Sequence, residues 1–65
     1  MRRLTLTPNI SDPDGFYAEL IAAHEGLSEV DSLALNARLV LILANHIGDR
    51  QMLTQALTAA RNASR

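Results

Sequence analysis

Sixty-five residues allow one domain at most, and a chain this short buries only about 60% of the surface its unfolded form exposes, so a core of its own is marginal. There is no cysteine, which excludes disulfides and thiolate metal sites and leaves tight helix packing or a partner chain as the source of stability. At 48% apolar residues the chain is not a disordered segment, and a net charge of −1 supplies no general attraction to nucleic acid or to an anionic membrane.

Residues 1–11, MRRLTLTPNIS, are expected to form an extended arm. Leu4 and Leu6 alternate with Thr5 and Thr7 in a faint strand pattern that Pro8 and Asn9 break, and the rest of the chain offers no strand to pair with. Ile10 is expected to tuck against the core. Arg2 and Arg3 resemble the start of a signal peptide, but Leu4 to Pro8 is no apolar segment of the kind that follows one.

The domain is expected over residues 12–62. Asp12-Pro13-Asp14 opens the first helix, over about residues 13–25. Asp12 serves as the N-cap, Pro13 suits the first helical position because the N–H it lacks would be unpaired there, and Asp14 adds charge that the helix dipole favours. Phe16, Leu20 and His24 are spaced along one face, with Tyr17 and Ile21 beside them. Gly26 fits the left-handed position after the last turn.

Ser28 caps a second helix over about residues 29–47, with Asp31 in place of the usual glutamate of a capping box. The link from the first helix is short, which predicts antiparallel neighbours. From Leu39 to Ala44 this helix is apolar all round, so it needs cover on more than one side. The run is far short of the roughly 20 residues of a membrane span. Asn36, Val40, Leu43 and Ile47 share one stripe. Asp31, Ala34, Arg38, Leu41, Ile42 and Asn45 share roughly the opposite one, and Ala34, Arg38, Leu41, Ile42 and Asn45 are the expected interface.

Gly48 stops the second helix and Asp49 caps a third, over about residues 50–62, with 63–65 as a frayed tail. Leu53, Ala56, Leu57 and Ala60 make its apolar face, while Gln51, Thr54, Gln55, Thr58 and Arg61 mostly face water. The fold class that follows is all-α: a small antiparallel three-helix bundle with an extended N-terminal arm.

The run from Asp12 to Asp49 resembles a family of short bacterial proteins described only as a domain of unknown function. The segments FYAELIAAHEGLS (Phe16 to Ser28) and LNARLVLILANHIGD (Leu35 to Asp49) carry the resemblance, which extends into the third helix. It implies no catalytic residues. It does imply a companion role beside flavin-dependent aromatic hydroxylases, near which such proteins are often encoded.

Few residues invite a chemical role. His24 and His46 lie on different helices, at ends about 25 Å apart by the helical rise, so no shared metal is expected within one chain. Helix-end hydrogen bonds are the better reading of both. Asn36, Arg38 and Asn45 sit in a largely apolar helix and either bond to loop backbone and acidic groups such as Asp31, or cross an interface and fix its register; a small-molecule pocket is the weakest of the three readings. The backbone N–H groups after Gly48 would suit an anion, but the Asp49 carboxylate already occupies that place. There is no nucleophile–base pair and no phosphate-binding glycine loop. The chain is therefore expected to be cytoplasmic, soluble and unprocessed, to bind no cofactor, metal, nucleic acid or membrane, and to act as a homo-oligomer or as an accessory subunit of a larger enzyme rather than as an enzyme. The alternative is a small regulatory or DNA-binding protein, in which the third helix would offer Arg50 and Arg61 to DNA.

Overall fold

The structure is a computed structural model that describes residues 3–64; the first two residues of the expected arm and the last of the expected tail lie outside them. Three helices follow one another: α1 (Pro13–His24), α2 (Glu29–Ile47) and α3 (Arg50–Ala63). No strand occurs among the described residues, and the chain is all-α.

Each helix begins where the sequence places a cap. The Asp12 carboxylate accepts from the Gly15 N–H at 3.1 Å, with Pro13 as the first helical residue. The Ser28 hydroxyl oxygen accepts from the Asp31 N–H at 3.1 Å. Asp49 accepts from two backbone donors, Gln51 at 3.0 Å and Met52 at 3.3 Å. Such side chains satisfy donors that the first turn leaves without a helical partner, each worth about 1 kcal/mol. The stops are equally local. Gly26 and Gly48 have φ of +76° and +67°, values that a residue with a Cβ rarely adopts, and the Gly48 N–H closes α2 on the Ala44 carbonyl at 2.9 Å.

Two helix ends differ from the sequence expectation. α1 stops at His24 rather than Glu25, because Glu25 leaves the helical region (ψ 134°) ahead of Gly26. α3 continues to Ala63, so the expected fraying does not begin at residue 63. Ser64 holds the last turn, its N–H and its hydroxyl both donating to the Ala60 carbonyl, at 3.2 and 2.9 Å.

The three helices leave their apolar faces largely open. No described residue is buried; the most shielded are half-buried, among them Leu20, Leu35, Leu39, Leu53 and Ala56. The chain exposes 6034 Å². A compact monomer of its 7.1 kDa mass exposes about 4100 Å² by the usual scaling. Its radius of gyration is 13.5 Å, against about 11 Å for a compact domain of this length. The molecule measures 42 × 27 × 25 Å.

α3 follows the turn at Gly48 and touches α2 only in part, so the expected antiparallel bundle is not closed; Val40, Leu43 and Ile47 line one open apolar groove with Leu53, Ala56 and Leu57. α1 touches α2 more lightly. Among the described residues the arm has no strand partner, but it meets α3: the Leu4 N–H donates to the Gln55 side-chain oxygen at 3.0 Å. Gln55, Thr54 and Thr58 are exposed, as expected, and also line a groove with the arm. Ile10, expected to tuck in, is exposed, because no apolar surface closes over this part of the arm.

Candidate interaction surface

The candidate surface is built on α2. Its length follows from nineteen residues without proline or glycine between the Ser28 cap and the Gly48 stop. At 3.6 residues per turn its side chains point to every side, and two sides have neighbours. One side lines an open groove with α3 through Val40, Leu43, Ala44 and Ile47. A second lines a groove with the end of α1, where Leu35, Leu39 and Ile42 lie near Ala23 and Leu27. The third side carries Val30, Ala34, Ala37 and Leu41, with Val30 74% and Leu41 70% exposed.

The five expected interface residues divide between these sides. Leu41 and Ala34 lie on the open side, Leu41 exposed and Ala34 half-buried. Ile42 is the neighbour of Leu41 in sequence but points about 100° away, into the α1 groove, although it stays 65% exposed there. Arg38 stands between the two, on the rim of that groove with Asp31. Asn45 is exposed one turn beyond Leu41. Among the described residues Arg38 and Asn45 make no side-chain hydrogen bond or ion pair, so neither ties α2 to a loop or to Asp31. Asp31 and Arg38 are two turns apart, about 10 Å along the axis, too far to pair within one helix.

Asn36 does find a partner. Its side-chain oxygen accepts from His24 Nε2 at 3.1 Å, joining the last residue of α1 to α2. The two residues were each open to a structural or a chemical role, and the structure pairs them with each other. Because α1 has little else to hold it, Asn36→Ala should raise amide exchange across α1 and leave α2 and α3 protected. The coupling to His24→Ala in a double-mutant cycle should be about 0.5–1 kcal/mol. Equal exchange in the parent and the variant would mean that the contact holds nothing.

His46 is exposed in the last turn of α2, away from this pair. Among the described residues no three His, Asp or Glu side chains converge to hold a metal. Two features lie outside the expected site residues: the exposure of Val30 and Leu33 at the start of α2 and the clamp of Gln55 on the arm. Val30 and Leu33 were visible as apolar residues three apart just after a cap.

α2 is long and apolar enough to cross a membrane by length and composition, its most apolar 18-residue stretch having a mean hydropathy of 1.3. Its polar residues oppose that. Arg38 stands at the midpoint of Glu29–Ile47, where an arginine costs about 2.5–3.5 kcal/mol on insertion scales. Asp31, Asn36 and Asn45 share the remainder of the helix.

The architecture defines a class: a small all-α module in which three capped helices leave the longest of them uncovered on one side. Residues 4–62 match the family described as "Protein of unknown function (DUF2783)", and the chain belongs to that family. No curated protein and no solved structure matches it.

Proposed function

We propose that this protein is an interaction module, whose third α2 face is completed by another protein chain in a homo-oligomer or as an accessory subunit of a larger enzyme. The observation that supports this reading is the absence of any buried residue among those described, in a chain that exposes about 1900 Å² more than a compact monomer of its mass. Folding has to offset about 1–2 kcal/mol of backbone entropy per ordered residue, and half-buried side chains return little of it. A partner that covers α2 supplies what the chain lacks.

The reading gives the protein no reaction of its own. The open face carries aliphatic side chains, with an arginine and an asparagine at its edge, and no nucleophile–base pair. The resemblance adds a class for the larger partner, the flavin-dependent aromatic hydroxylases, and a cytoplasmic setting is consistent with a chain free of cysteine. Measuring the solution mass across dilution tests the reading, with co-purification from the native host to identify a heterologous partner. A concentration-dependent assembly, or a hydroxylase recovered in fixed ratio, is expected. A chain that stays monomeric, unfolds cooperatively and brings down no enzyme would sink the proposal.

A further inference from the structure

Resting on that reading, we infer that the occupant of the open α2 face is a second copy of this chain, paired antiparallel about a two-fold axis that passes between Leu35 and Asn36. Val30, Ala34, Ala37 and Leu41 are spaced four, three and four residues apart, the repeat of a helix–helix seam. In this register Val30 faces Leu41 of the second copy and Ala34 faces Ala37 of the second copy. Symmetry repeats both contacts, as an isologous interface requires. The two large side chains thus meet at the ends of the seam and the alanines at its centre, where the backbones approach. Leu33 and Val40 come together along one flank, continuing the apolar surface toward α3; both are more than half exposed in the single chain.

The other flank favours a second copy over an unrelated partner. Between Val30 and Leu41 the only charged residues are Asp31 and Arg38. The same register sets Asp31 beside Arg38 of the second copy, twice by symmetry, so the charges that cannot meet within one helix meet between two. With a net charge of −1 the chain presents no broad field that would select a strongly charged partner. Area also permits the pairing. A stable dimer needs about 800 Å² from each chain, less than half of the excess this chain exposes.

Charge reversal tests the register. Arg38→Asp replaces two attractive contacts by two repulsive ones and should weaken the dimer about tenfold, read as a shift of the mass–dilution curve with helicity unchanged at high concentration. Asp31→Arg should do the same, and the two together should restore association to within a few-fold of the parent. Orientation has a separate readout, because the chain has no cysteine. A mixture of Ala34→Cys and Ala37→Cys chains should oxidise to the mixed disulfide in preference to either self-linked pair. A dimer that ignores both charge reversals, or that links Ala34→Cys to itself, overturns the antiparallel pairing while the interaction module stands. So does a chain that is monomeric alone and assembles only with a host enzyme. A stable, cooperatively folding monomer with no partner overturns both.

Discussion

Leu41→Asn should dissociate the protein, while Ile42→Asn, one residue along the same helix, should loosen the single chain and leave its association unchanged. The two positions receive the same side chain, with the same helix propensity, and differ mainly in direction. Asparagine also avoids the new ion pair that an aspartate at either position would make with Arg38, three or four residues back. Leu41 is 70% exposed in the single chain, so its truncation takes little from the monomer. In a two-fold dimer it is covered twice. Burying a leucine side chain is worth about 1.5–3 kcal/mol, so two copies amount to about 3–6 kcal/mol, or about 10²–10⁴ in the dissociation constant. Ile42 gains cover from Ala23, Leu27, Leu35 and Leu39 in the α1 groove, but is still 65% exposed. Its replacement should lower stability by about 1 kcal/mol, which is about 4–8 °C in a domain of this size. Sedimentation across a dilution series separates the first effect, and thermal melting at fixed high concentration the second. If Ile42→Asn dissociates the protein and Leu41→Asn only lowers its melting point, the covered face lies on the α1 side.

That contrast also marks what the sequence could and could not reveal. The caps at Asp12, Ser28 and Asp49 and the stops at Gly26 and Gly48 are chemistry among residues a few positions apart, so residue types alone place the three helices to within a residue at each end. The open face of α2 is a different problem. From Leu39 to Ala44 every residue is apolar, so periodicity has no contrast to work with, and Leu41 and Ile42 fall on one stripe when the helix is read alone. Only the position of α1 separates them, and the hydrogen bond that joins α1 to α2, His24 to Asn36, is between residues whose pairing depends on the angle between two helices. The Gln55 clamp on Leu4 is hidden for the same reason: the two residues are 51 positions apart, and the local pattern assigns Gln55 to water. The excess of apolar surface was legible from length and composition, because a short aliphatic chain without cysteine has few ways to stabilise itself.

The corner between α2 and α3 should be the most sensitive backbone position in the chain. Gly48→Ala should cost about 1–2 kcal/mol, because φ is +67° there and an alanine in the left-handed region sets its Cβ against the carbonyl oxygen. Space is not the obstacle, since the nearest atom an added Cβ would meet is the Asn45 carbonyl oxygen at 3.7 Å, an ordinary contact. Asp49→Ala removes the acceptor for the Gln51 and Met52 N–H groups and should cost about 1 kcal/mol, up to about 2. The corner sets the angle between α2 and α3, so the groove that Val40, Leu43 and Ile47 share with α3 widens as it opens. Neighbouring positions do not add simply, and the double variant should fall about 2–3 kcal/mol below the parent, about 8–24 °C in melting temperature. For a chain with no buried residue among those described, that is a large share of the 5–15 kcal/mol or so that folded domains possess. Gly48→Asn provides the check on mechanism, because asparagine tolerates the left-handed region better than alanine and should recover part of the loss. If asparagine is as damaging as alanine, the glycine is needed for something other than its backbone angle.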